Sequence, residues 1–159
     1  LSEGRGTDTP FLILGAPWMD NKAIVEAIDP VLATGFKLGT QVYIPKPIPG
    51  KSEHPEYEGK ICKGIRLEVT DPEAARPFSL TVAVLVELVK RHKDQLQWKP
   101  SFDVLAGGPW LREQFMAGRP AADILSETAA ELAAFDDARP RLYSTSEEMR
   151  QGYLKTDRS

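Results

Sequence analysis

Residues Ser79–Arg91 read SLTVAVLVELVKR and are apolar almost all the way round a helix. A surface helix carries one apolar stripe, whereas one that is apolar on most sides has to be buried on several of them. The rest of the chain must therefore wrap this segment. At 159 residues it is long enough to do so, since a domain of that size removes roughly two-thirds of its unfolded surface from water. Lys90, Arg91, His92 and Lys93 close the helix, at the end where the helix dipole favours positive charge.

The remaining elements follow from pattern and punctuation. Phe11–Leu14 is a short apolar run between Pro10 and Gly15-Ala16-Pro17 and reads as a buried strand. Asp20 has N-cap chemistry for a helix whose apolar face is Ala23, Ile24, Ala27 and Ile28. That helix ends near Asp29-Pro30, because a residue before proline is pushed out of the α region. Gly35 and Gly39 mark a turn, and Thr40–Ile44 alternates as a strand stopped by Pro45. Residues 45–60 form a long loop rich in Pro, Gly, Lys and Glu. Lys60–Thr70 is a strand with Gly64 as a candidate bulge. Phe102–Leu105 is a short apolar element, Trp110–Ala117 a helix ended by Gly118, and Pro120 starts a long helix to about Asp136. Ile124, Leu125, Thr128, Leu132 and Phe135 are its expected buried stripe. This order predicts an α+β domain, a small mixed β-sheet packed with helices, over residues 1–144. Residues 145–159 read as a polar tail.

Charge and composition exclude several classes. The net charge of −3 argues against a nucleic-acid-binding face, which needs basic surface to displace counterions. No apolar run approaches the ~18 residues of a membrane span. The single Cys62 lies in a strand-like apolar run and reads as buried and inert. With only His54 and His92 beside it, no metal-ligand spacing appears. Walker-type and strand–GxGxxG–helix patterns are also missing, so neither metal nor cofactor is expected.

Chemistry concentrates at the start of the chain, in Leu1-Ser2-Glu3-Gly4-Arg5-Gly6-Thr7-Asp8-Thr9-Pro10-Phe11. Gly4 and Gly6 let the backbone adopt positive φ and approach a ligand closely. Arg5 offers a planar fork for a carboxylate or phosphate. Ser2 and Thr7 add hydroxyls, and Glu3 is an acid able to act on a proton or accept from sugar hydroxyls. The plainer reading is a tight turn with a structural Glu3–Arg5 pair. The chain opens on Leu rather than Met, which suggests the second half of something larger.

Together the strings SEGRGTDTPF and LGAPW resemble the start of the C-terminal half of the NamZ-like exo-β-N-acetylmuramidase family. Tyr57-Glu58-Gly59-Lys60-Ile61-Cys62-Lys63-Gly64-Ile65 resembles a further segment of that family, and Leu67–Asp71 the strand that follows. Gln97-Trp98, Phe102–Gly107, Leu111-Arg112, Gly118, Phe135, Arg139 and Tyr143 continue the likeness in order, so that it covers roughly residues 1–143.

The resemblance implies a bacterial hydrolase of cell-wall turnover that removes terminal N-acetylmuramic acid from peptidoglycan fragments. It implies a Rossmann-like N-terminal domain, carrying the principal catalytic glutamate, and an active site in the cleft between the two domains. This chain then supplies substrate-binding residues: Ser2, Glu3, Gly4, Arg5, Gly6, Thr7 and Trp18. Arg5 is expected on the lactyl carboxylate that distinguishes muramic acid from glucosamine, with Glu3 as a supporting acid. The expected partners are the glycan and the N-terminal domain, and the location is secreted or periplasmic. Two alternatives stand beside this reading: a non-catalytic module that binds peptidoglycan sugar or docks a partner domain, and a phosphate-handling enzyme that uses the Arg5 loop.

Other residues carry two readings each. Trp18 stacks on a sugar or packs in the core or a domain interface. Tyr43 faces either cleft or core. Trp98 and Trp110 read as packing residues, His54 as solvated, and His92 as explained by the helix dipole. The loop Pro45–Lys60, with Lys46, Lys51 and Lys60 and four prolines, either rims the substrate cleft or is a surface loop.

Overall fold

A computed structural model of the chain describes residues 1–138. Its elements are β1 (Ile13–Ala16), α1 (Asn21–Ala27), β2 (Phe36–Tyr43), β3 (Cys62–Val69), α2 (Pro77–His92), α3 (Pro100–Leu105), α4 (Trp110–Met116) and α5 (Ala121–Ala138). The architecture is α+β, as expected, with one correction. The sheet runs in the order β1-β3-β2 and both pairings are antiparallel, so it is not mixed. The reason is that β3 inserts between β1 and β2 and runs against both, which removes any parallel pairing.

The antiparallel register assigns each strand residue to a face, because side chains alternate along a strand. Leu14 and Ala16 share one face with Phe36, Leu38, Ile65 and Leu67. These pack with Ile24 and Ile28 after Asp20 and with Leu80, Ala83, Val84 and Leu88 of α2 into the main core. Asp20 caps α1 as expected, its carboxylate accepting from the Ala23 N–H at 3.2 Å. α2 starts on Pro77, whose missing N–H costs nothing in a first turn. Its buried residues Leu80, Val82, Ala83, Val84, Leu88 and Val89 confirm cover on several sides.

The opposite face carries Ile13, Tyr43 and Cys62, a second small cluster joined by Tyr57. Gly64 lies between them. It pairs with Gly15 and Gln41 in unbroken register, so the expected bulge is absent. Glycine is required there for space, since a Cβ would sit 2.8 Å from the Tyr43 ring and 2.9 Å from Ile13.

Two further expectations are corrected. The first strand begins at Ile13 rather than Phe11, because Thr9–Leu12 closes a turn (Leu12 N–H to Thr9 O, 3.3 Å). Gly39 is not in a turn but pairs with Arg66 inside β2. The short apolar element Phe102–Leu105, left open in type by the sequence, is the end of a helix, α3, whose Val104 and Leu105 are exposed. α3 and α4 are tied by a bidentate Asp103–Arg112 pair at 2.8–3.1 Å. Trp98, Phe102 and Phe115 pack ring on ring beside it, with centroids 4.7–6.5 Å apart, as the packing reading of Trp98 requires.

The chain falls into two units, Leu1–Ala121 and Ala122–Ser159. Helix α5 from Ala122 onward is the described part of the second; of its expected stripe, Ile124 is buried, whereas Leu132 and Phe135 are exposed. Arg139, Tyr143 and the tail 145–159 lie outside the described residues. Among the described residues no helix is long and apolar enough to cross a membrane.

Candidate functional site

The loop before β1 is built by backbone pairing. Ser2 forms an antiparallel bridge with Gly15, its N–H donating to Gly15 O at 2.8 Å and its carbonyl accepting from Gly15 N–H at 2.9 Å. Its hydroxyl is buried and accepts from the Gly4 N–H at 3.3 Å. Thr7 is likewise committed inward: its hydroxyl donates to Gly4 O at 2.6 Å and accepts from the Thr9 N–H at 3.2 Å. Both hydroxyls shape the loop.

Gly4 and Gly6 have φ of +79° and +80°, a conformation that costs a residue with a Cβ about 1–2 kcal/mol. Their bare Cα atoms face protein. A Cβ on Gly4 would lie 3.1 Å from the carbonyls of Ile13 and Thr9, and one on Gly6 would lie 2.7 Å from Lys46 O and 2.8 Å from Pro55. The glycines thus serve the packing of two loops against each other. Gly6 O accepts from the Lys46 N–H at 2.9 Å, which locks the opening loop to residues 45–60.

What this scaffold displays is charge. The Arg5 side chain is 58% exposed and its Nε lies 2.8 Å from Glu3 Oε1, itself 39% exposed. A pair this open to solvent contributes little stability, but it orients the guanidinium. With Nε engaged, the Nη edge has no hydrogen-bond partner among the described residues. The guanidinium also sits over the Phe11 ring, 5.5 Å from its centroid.

Arg5 stands where two grooves meet. The first, about 630 Å³, is lined by Glu3, Arg5, Lys51, Ser52, Glu53, His54, Glu56 and Lys99 among others. The second, about 680 Å³, is lined by Arg5, Gly6, Thr7, Asp8, Pro10, Phe11, Ile48, Lys51 and Ser52. Both volumes fall in the range of ligand pockets. The structure thus brings the 45–60 loop alongside Glu3 and Arg5, and His54 to the same groove. Lys99 is held by Glu56 at 3.0 Å, which raises the lysine's pKa.

Trp18 lines neither groove. It packs against the main core, its ring 5.3 Å from that of His92. His92 is not explained by the helix dipole alone: Nε2 accepts from the Asp20 N–H at 3.0 Å, which requires a neutral imidazole. Burial lowers its pKa accordingly. Tyr43 faces the core, its hydroxyl donating to Ser2 O at 3.4 Å, and burial pushes its pKa up to about 12. Cys62 is buried and burial raises its pKa, which leaves the thiol protonated and inert. Among the described residues no group of three His, Cys, Asp or Glu could hold a metal ion.

Sequence reasoning missed Phe11 as a surface residue. It is 64% exposed with φ of +66°. The signal was Pro10, which favours the second position of a turn whose third residue takes positive φ.

Fold and site together define a small α+β module that displays a Glu3-paired arginine between two grooves. A profile of the C-terminal region of the exo-β-N-acetylmuramidase NamZ matches residues 1–143, and the chain belongs to that family. Among curated proteins it is similar to the peptidoglycan β-N-acetylmuramidase NamZ of Bacillus subtilis (strain 168). The two are 24% identical over 143 residues, which are 89% of this chain and 33% of that protein. Two DUF1343-family crystal structures from Bacteroides fragilis NCTC 9343 share the fold. One superposes with a TM-score of 0.70 at 17% identity, covering 89% of this chain and 37% of the other. The second gives 0.59 at 22% identity, with 91% and 37% covered. The chain spans about a third of the length of these relatives.

Proposed function

We propose that this chain is the substrate-binding part of an exo-acting glycosidase that releases terminal N-acetylmuramic acid from peptidoglycan fragments. The observation that carries the reading is Arg5: an exposed guanidinium, oriented through Nε by Glu3, with its Nη edge turned to no protein acceptor among the described residues. A carboxylate fits that edge through two parallel N–H···O bonds. The lactyl group of muramic acid is such a carboxylate, and glucosamine lacks it. Glu3, 2.8 Å from Arg5 Nε, fixes the fork and retains an oxygen to accept from a sugar hydroxyl.

The charge balance of the first groove favours a monoanion over a phosphate. Glu3, Glu53 and Glu56 face it beside Arg5, Lys51 and Lys99, so no net positive field gathers a dianion. Family membership supports the same substrate class. The bond-breaking acid is assigned to the N-terminal domain, so residues 1–159 alone are expected to turn over no substrate. A secreted or periplasmic location goes with this reading.

In the full-length protein, Arg5→Ala should raise KM for muramoyl substrates roughly 10- to 100-fold, the loss of a charged hydrogen-bonded pair. An unchanged KM would exclude Arg5 as the carboxylate site.

A further inference from the structure

The second groove has no role in the reading above, and its most prominent residue is anomalous. Phe11 is a non-glycine residue at φ of +66°, a strained conformation that persists where the surroundings impose it. The residue is 64% exposed, so burial does not offset that strain. The backbone holds it in place: Phe11 N–H donates to Glu3 O at 2.7 Å, and the Thr9–Leu12 turn closes behind it. The Arg5 guanidinium, 5.5 Å from the ring centroid, aligns the ring further. The result is a presented aromatic surface.

Around it the groove has Pro10 and Ile48 as apolar neighbours and Asp8, Lys51 and Ser52 as polar ones. No hydrogen bond or ion pair engages the side chains of Asp8, Lys51 or Ser52 among the described residues. An apolar plate ringed by a carboxylate, an ammonium and a hydroxyl suits a pyranose, which has a C–H face to stack and hydroxyl and acetamido groups at its edge. Arg5, Lys51 and Ser52 line both grooves, so the two are continuous at Arg5.

We infer that the Phe11 groove is a second sugar subsite, taking the pyranose linked to the muramoyl unit whose carboxylate lies on Arg5. This rests on the Arg5 reading given above. Phe11 is then a specificity residue for disaccharide over monosaccharide.

The test uses the full-length protein and two ligands. One is a disaccharide of N-acetylmuramic acid β-linked to N-acetylglucosamine, read by its KM. The other is free N-acetylmuramic acid, read as a competitive inhibitor. Phe11→Gly removes the ring and relieves the positive φ, so its thermal midpoint should not fall. Its KM for the disaccharide should rise about tenfold while the inhibition constant of the monosaccharide stays put. Phe11→Tyr, which keeps the ring face, should behave as the parent. If both constants rise together, Phe11 only steadies Arg5 and the subsite is overturned. If neither moves, it is overturned as well. Failure of the Arg5 reading looks different: Arg5→Ala would leave the monosaccharide's inhibition constant unchanged.

Discussion

The two faces of the sheet are held by different means. On one face Leu14, Ala16, Ile65 and Leu67 meet α1 and α2 in an apolar core. On the other, Ile13, Tyr43 and Cys62 are covered by two loops, interlocked by the Lys46–Gly6 hydrogen bond and the Tyr43–Ser2 contact. The helix face gains stability from apolar area removed from water. The loop face uses tightly approached backbone and then leaves its charges outside, at Glu3, Arg5, Lys51 and Glu53. Division of labour follows: one face holds the module together, and the other displays charged side chains on an interlocked loop pair.

The largest test of that contrast is Leu88→Ala. Leu88 is fully buried in the helix-side core, and the truncation should cost about 2–5 kcal/mol, read as a fall in the denaturant midpoint. At temperatures where the variant is folded, KM for muramoyl substrates in the full-length protein should not change. Gly6→Ala sharpens the contrast from the other side. A Cβ 2.7 Å from Lys46 O at φ of +80° should cost about 3 kcal/mol, and here stability and KM should worsen together. A stable variant with a raised KM would mean that the loops are not interlocked in the way described.

Tyr43 gives the smallest effect. Tyr43→Phe removes one neutral hydrogen bond, about 1 kcal/mol. The tyrosine also adds a pH signature. Its folded pKa is pushed up to about 12 from 10.0 by burial, so the unfolded chain loses its phenolic proton first. The stability Tyr43 contributes is complete below pH 10 and is lost as pH rises from 10 to 12. Unfolding curves across that window should show a fall in the parent that is weaker in Tyr43→Phe.

Much of the helix face was legible in the chain. The apolar wrap of Ser79–Arg91 marked α2, and Asp20 marked the start of α1, because local patterning carries both. The loop face was legible only in its residue types. Gly4 and Gly6 stand out by type, but their reason is tertiary: the carbonyls that crowd them come from Ile13, Thr9 and Lys46. Trp18 next to a strand end allows both a sugar-stacking and a packing reading, and only the packed structure puts it against His92. α3 escaped because six residues show too little of a helical period. Phe11's apolar neighbours suggest a strand, whereas Pro10 favours the turn that the structure shows.

The central claim is that Arg5 reads the lactyl carboxylate. Binding of N-acetylmuramic acid and of N-acetylglucosamine to the full-length protein, before and after Arg5→Ala, tests it most directly. The account predicts that the parent prefers N-acetylmuramic acid by about tenfold or more, and that the substitution erases the preference by weakening that ligand alone. A preference that survives Arg5→Ala intact would contradict it.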